Sequence, residues 1–231
     1  MKNKNSLITA KNIYRHFGSG DLITNVLRGI DFSVYDGEFV AIMGKSGAGK
    51  STFMYQLSLL DTPSKGEISI GDTDVLTLTE QEKTTFRLHT LGYIFQNYAL
   101  VPDLSSRENC MVPLLMRGLN WQEAKEKAES SLTSVGLEHR FDSLPSTLSG
   151  GEQQRVSIAR AVAGSPTILF ADEPTANLDS VSGTQVIELL SDLHKKGQTI
   201  VMVTHEREYA CSAERIIHME DGKITKEEKL K

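Results

Sequence analysis

The stretch GKSGAGKS at residues 44–51 constrains the fold of this chain more than any other. It follows FVAIM at 39–43, five apolar residues without a polar alternate, the pattern of a strand covered on both faces. Helix-forming residues continue from Lys50 to about Leu60. A buried strand, a glycine-rich turn and a helix start in that order gather backbone donors around one point. Gly44, Gly47 and Gly49 let the chain curl so that N–H groups face inward, and the helix adds its positive end at the same place.

The pattern is that of a P-loop, with Lys45, Ser46 and Ala48 completing the turn. Its chemistry assigns Lys50 to the β- and γ-phosphates, the Ser51 hydroxyl to Mg²⁺ and Thr52 to the α-phosphate. A chance glycine-rich turn is the alternative. Alone, the loop predicts nucleotide binding without choosing among kinase, GTPase, helicase and transport ATPase.

Other apolar runs supply the frame. Leu7–Ile13 and Ile30–Val34 read as strands, separated by a glycine turn at 18–20, and a hairpin pattern covers Gly66–Val75. A charged helix at Glu80–Arg87 leads to a short strand at Gly92–Phe95. From 97 to 161 the pattern turns helical, most clearly at Trp121–Val135. Strand patterns return at Thr167–Ala171, Thr199–Val203 and Arg215–Met219, the first two separated by a helix at Gln185–Lys196. These are βαβ units on a parallel sheet. The final ITKEEKLK reads as a charged, frayed tail. We expect an α/β fold: a P-loop NTPase core with a mostly parallel sheet, an N-terminal antiparallel β subdomain and an inserted helical subdomain. No repeat appears, so residues 1–231 read as a single domain.

ILFADEP ends an apolar strand in two carboxylates. Ligands of open α/β sheets bind at the carboxyl edge, so Asp172 is placed to hold Mg²⁺. Glu173, pointing the other way on strand alternation, is placed to orient or deprotonate an attacking water. Pro174 fixes the chain direction afterwards. The alternative is a solvated acidic turn. His205 follows a second apolar strand in VMVTHE, where a histidine can sense a γ-phosphate or serve the fold alone.

LSGGEQQRV at 148–156 narrows the field. With GKSGAGKST, the YIFQ containing Gln96, ILFADEPT, NLD at 177–179 and VTHE, the chain resembles the ATP-binding cassette family over essentially its whole length. The resemblance implies that Ser149, Gly150, Gly151 and Glu152 contact the nucleotide held by a second copy. A serine and two glycine N–H groups ahead of a helix beginning near Glu152 form a second anion cap, which suits that role. It further implies Phe17 on adenine, with Tyr14 the second candidate, Gln96 on Mg²⁺ or the attacking water, and Asp179 in the loop joining two active sites. Arg155 braces the signature helix. A homodimer enclosing two ATP and Mg²⁺ follows, with Glu173, His205, Lys50 and Gln96 as its catalytic group.

Within the family the similarity is to the macrolide and antimicrobial-peptide exporter and lipoprotein-release branch. That implies an ATPase subunit peripheral to the cytoplasmic face of the membrane, docked on a permease near Gln96 and the first helices of the insertion, about 98–119, and driving export, extraction or force transmission. Leu100, Val101, Leu104, Met111, Val112, Leu114 and Leu115 there read equally as core or docking surface. A cell-division ATPase and a soluble non-transport cassette stay open as alternatives.

Composition agrees. Of 231 residues, 39% are apolar and 24% charged, as in a globular protein. A net charge of −5 makes nucleic acid an unexpected partner. No apolar run reaches the roughly 20 residues of a membrane helix, and the N-terminus lacks the apolar core of a secretion signal. Cys110 and Cys211 have no metal-ligand spacing and read as idle thiols.

Overall fold

The computed structural model describes residues 6–18 and 22–230, so most of the turn expected at 18–20 lies outside the described residues. The chain divides into two compact units, residues 1–85 with 194–231, and residues 86–193.

The first unit begins with two long strands, β1 (Ser6–Phe17) and β2 (Thr24–Tyr35), paired antiparallel. Both run past the apolar stretches that announce them, because their ends are polar and half-exposed, held by pairing more than by burial. Alternate residues face inward: Ile8, Ala10 and Ile13 from β1, and Leu27, Ile30, Phe32 and Val34 from β2, all buried. Asn12 interrupts the register with φ 53°, a bulge fixed by its N–H donating to the Asp31 carboxylate at 2.8 Å. The strands β4 (Lys65–Ile70) and β5 (Thr73–Asp74) complete a sheet of order β2-β1-β4-β5.

Beneath the P-loop lies β3 (Phe39–Met43), flanked in parallel by β8 (Thr199–Thr204) and β9 (Arg215–Glu220). Every residue of β8 and the first four of β3 are buried, as their unbroken apolar runs require. The helix α1 (Lys50–Leu57) packs Phe53 edge-on to Phe32, ring centroids 5.3 Å apart. Arg215 is nearly buried and forks onto Glu38, with both N···O distances 3.0 Å, while donating to the Ser33 carbonyl at 2.7 Å. A buried carboxylate is tolerated only with such complete pairing. The tail expected to fray is instead β10 (Lys223–Lys229), antiparallel to β9. Its alternation is too polar to announce a strand, and its order comes from pairing and from Glu228, which meets Arg207 at 2.6 Å and His218 at 3.2 Å.

The second unit begins within α2 (Glu80–Thr90) and holds a parallel pair, β6 (Leu91–Ile94) and β7 (Ile168–Asp172). Between the strands run α3 (Ser106–Met116), α4 (Trp121–Ser134) and α5 (Gly150–Val162), which pack on one another. Cys110 and Leu114, Ala124, Ala128 and Leu132, and Val156 and Ala159 form their common core. Each helix opens on a capping box, Ser105 with Glu108, Asn120 with Glu123, and Ser149 with Glu152. Burial pushes the Cys110 thiol up to about 12, which leaves it unreactive. After β7 comes α6 (Ser180–Lys195), five residues earlier than its apolar face suggests because its first turn is polar and capped. A single turn, α7 (Arg207–Ala210), follows β8 in the first unit. Among the described residues no helix is long and apolar enough to cross a membrane. The fold is an α/β P-loop NTPase core of mostly parallel strands, with an N-terminal antiparallel β subdomain and inserted helices.

Candidate active site

The phosphate loop is shaped by three glycines for three different reasons. Gly47 and Gly49 hold φ of 81° and 93°, the left-handed region that L side chains avoid. Gly44 has ordinary φ but no room: a Cβ there would lie 2.3 Å from the Met219 carbonyl oxygen. The loop is pinned by Ala48, whose N–H donates to Lys45 O at 3.1 Å and whose carbonyl accepts from Gly222 N–H at 3.1 Å. Gly49 is the N-cap of α1 and brings no side-chain acceptor to the helix start. Lys50 is buried to 7% exposure and its ammonium donates back to Lys45 O at 3.3 Å. A buried cation folded over its own loop, beside the positive end of a helix, is a receptor for a polyanion.

In the parallel register Met43 faces Thr204, so Gly44 and His205 leave neighbouring strands at one edge. His205 is exposed there. Phe17, at the end of β1, is 45% exposed and carries the Arg15 guanidinium 4.4 Å from its ring centre. Arg15 is itself fixed by Asp61 at 2.8 Å. Tyr14 lies over Gly29, whose Cβ would come within 2.8 Å of the phenol oxygen. That ring is therefore committed to strand packing.

In the second unit Ile94 faces Ala171, so the segments carrying Gln96 and the acidic pair also leave neighbouring strand ends. Asp172 is the last residue of β7, buried, and accepts from the Tyr93 hydroxyl at 3.4 Å. Glu173 lies past the strand with φ 45°, so its direction is set by a left-handed turn and not by strand alternation as expected. A glutamate held in that region costs on the order of 1–3 kcal/mol and persists only where its surroundings fix it. Gln96 is exposed, and its carbonyl accepts from the Asn177 amide at 2.9 Å. Asn177 O in turn accepts from the Tyr98 hydroxyl at 3.3 Å. Tyr98 and Ala99 are both left-handed, with φ 62° and 50°, and Arg160 of α5 donates to their carbonyls at 2.8 and 2.6 Å. Burial lowers the Arg160 pKa, as desolvation of a cation must. Tyr93, Tyr98 and Arg160 escaped the sequence reading, since nothing in their local pattern separates them from ordinary strand and helix residues.

The signature loop joins this network. Ser149 is the N-cap of α5, which begins at Gly150, two residues before the position expected. A Cβ on Gly150 would lie 3.0 Å from the Tyr98 hydroxyl, and one on Gly151 would lie 2.9 Å from Ser182 Oγ. Both glycines thus serve close approach. Arg155 donates to Gln185 at 3.2 Å and braces α5 against α6. Asp179 accepts from the N–H groups of Val181 and Ser182, each at 3.0 Å, and from the Ser182 hydroxyl at 2.8 Å. It caps α6, and those bonds, the Ser182 N–H first, hold its carboxyl below the usual range.

A glycine-rich loop between a buried strand and a helix, on this sheet, is the fold of a P-loop NTPase. Residues 27–176 match the family described as ABC transporter. The macrolide export ATP-binding/permease protein MacB of Chlorobium luteolum is 44% identical over 96% of this chain. An uncharacterised ABC transporter ATP-binding protein of Methanocaldococcus jannaschii is 44% identical over 94% of this chain and 97% of its own length. Among solved structures, the dimeric post-hydrolysis state of an ATP-binding cassette bound to ADP and Pi matches with a TM-score of 0.90 at 38% identity. The match covers 97% of this chain and 99% of that one. This chain belongs to the ABC transporter family as an ATP-binding, ATP-hydrolysing cassette. It spans 33% of the length of the Chlorobium MacB relative.

Proposed function

We propose that the chain is the motor of a membrane transporter, closing in pairs on two ATP molecules so that each lies between one copy's P-loop and the other copy's Ser149 loop. The observation that carries this reading is that one chain holds two helix starts suited to an anion, Gly49–α1 and Ser149–α5. One nucleotide needs only one of them in cis. The solved relative bound to ADP and Pi is itself a dimer.

In this reading the loop from Gly44 through Gly49, with Lys45, Ser46 and Ala48, wraps the phosphates, and Lys50 reaches the β- and γ-groups. Phe17 stacks on adenine, supported by its 45% exposure at the end of β1, whereas Tyr14 lies over Gly29. Ser51, Gln96 and Asp172 hold Mg²⁺. A hydroxyl, an amide and a buried carboxylate are the hard oxygen donors that ion takes. When bound, it neutralises charge on the phosphate oxygens. Glu173 orients and deprotonates the attacking water from its fixed turn, and His205 contacts the γ-phosphate. Asp179 links the two sites across the pair. Loss of the γ-phosphate removes the bridge between the copies, and the pair opens.

Residues 97–161 act as the helical insertion carrying the signature, and a permease docks near Gln96 and its first helices, placing the chain at the cytoplasmic face. Of the apolar residues there, Met111 and Leu114 are core, whereas Val101 is 44% exposed and available for docking. MacB is an export protein by name, and export is the transport mode we assign. The test is Glu173→Gln: turnover falls at least a hundred-fold, ATP binding persists, and a species of twice the mass accumulates with ATP. Near-normal turnover rejects Glu173 as the base, and no ATP-dependent pairing rejects the composite pocket.

A further inference from the structure

The start of α5 already carries an anion of its own. Glu152 Oε2 accepts from the Ser149 N–H at 2.8 Å and from the Ser149 hydroxyl at 2.9 Å, while Ser149 Oγ accepts from the Glu152 N–H at 3.3 Å. The one proton of the Ser149 hydroxyl is thus committed to a carboxylate of its own helix. The Ser149 bonds, the backbone one first, hold the Glu152 carboxyl below its usual range, so it is ionised at neutral pH. A triphosphate brought to this helix start meets a resident negative charge, and like charges at one helix end oppose each other.

The second carboxylate oxygen is held differently. Glu152 Oε1 accepts from Arg140 Nε at 2.9 Å, with the glutamate side chain only 14% exposed and the arginine 39%. Arg140 sits in a turn tied by its own backbone, its N–H donating to Leu137 O at 3.0 Å and its carbonyl accepting from Ser143 N–H at 3.1 Å. The guanidinium therefore comes from a fixed segment nine residues ahead of Ser149.

We propose that Arg140 is a positioning residue for the signature loop: by neutralising and holding Glu152 it lets Ser149 hand its hydroxyl proton from Glu152 to a partner-held γ-phosphate. The proposal rests on the composite-pocket reading. The exchange breaks one hydrogen bond and makes another, with no covalent change. Without Arg140, the released Glu152 carboxylate faces the phosphate uncompensated. In this assignment Arg140 acts through Glu152, the carboxylate it holds.

The experiment measures ATP-dependent pairing of the whole chain in the Glu173→Gln background, and steady-state turnover against ATP concentration without that substitution. Arg140→Ala raises the ATP needed for half-maximal pairing on the order of ten-fold, steepens the salt dependence and changes kcat less than KM. Arg140→Lys recovers part of the loss. Adding Glu152→Gln to Arg140→Ala restores pairing, because a neutral amide still accepts from Ser149 and needs no counter-charge. A merely structural arginine gives no such rescue. If Arg140→Ala pairs at the parental ATP concentration, or the double variant stays as weak as Arg140→Ala, the assignment falls while the composite pocket stands. If the Glu173→Gln protein with Arg140 intact never pairs, the pocket reading falls and takes this proposal with it.

Discussion

The starts of α1 and α5 answer one requirement, an anion at a helix N-terminus, in opposite ways. At α1 the cap is Gly49, left-handed, with no acidic residue in the first turn and a buried lysine folded over the loop. At α5 the cap is Ser149 in extended backbone, closed by Glu152 and backed by Arg140. The first, with a left-handed glycine at its cap and no acidic side chain in its first turn, is the more open of the two. The second holds the Glu152 carboxylate of its own helix, so under the proposal above a ligand would enter there by exchange.

Four measurements can break or sharpen this contrast. The largest effect belongs to Lys50→Ala, which removes the cation of the open start. ATP turnover should fall more than about a hundred-fold, measured by phosphate release at saturating ATP, and a smaller loss would mean that the backbone nest suffices. Next is Gly49→Ala. A side chain at φ 93°, 3.1 Å from Leu27 and Val26 O, should destabilise the fold by about 1–2 kcal/mol in a denaturant titration. An unchanged midpoint would show that the open start tolerates an ordinary cap. Third, Ser149→Ala should cost about 1 kcal/mol and Ser149→Gly a few tenths, by the same titration. Equal costs would mean that the box contributes nothing as a cap.

The smallest effect concerns pH. The folded pKa of Glu152 is depressed, so its contribution is present above the unfolded value, 4.5, and is lost as pH falls through the folded value. The stability difference between the native chain and Glu152→Gln should therefore be constant near neutrality and shrink below about pH 4.5. A difference that grows on acidification would contradict the box as the seat of that shift.

Much of this was legible in the residues. The strand beneath the P-loop matches Phe39–Met43 because an all-apolar run bounded by Gly37 and Gly44 has only one way to be buried. Helix α4 begins at Trp121 as its rhythm demands, since Asn120 and Glu123 box its start. The polar edges resisted. The strand β10 is invisible in KITKEEK because its partner β9, not its own pattern, supplies the hydrogen bonds. Glu173 departs from strand alternation, because β7 ends at Asp172 and a single left-handed residue follows.

Residue spacing alone marked the strand, loop and helix at 39–57: spacing along a chain is a local property, and glycines, caps and apolar runs act within a few residues of themselves. Only the tertiary structure decided which groups stand behind those pieces. Arg140 behind Glu152, Arg160 behind the left-handed pair Tyr98–Ala99, and Tyr93 behind Asp172 are long-range meetings. They depend on how helices and strands pack, and an isolated arginine or tyrosine carries no local mark of the partner it will reach.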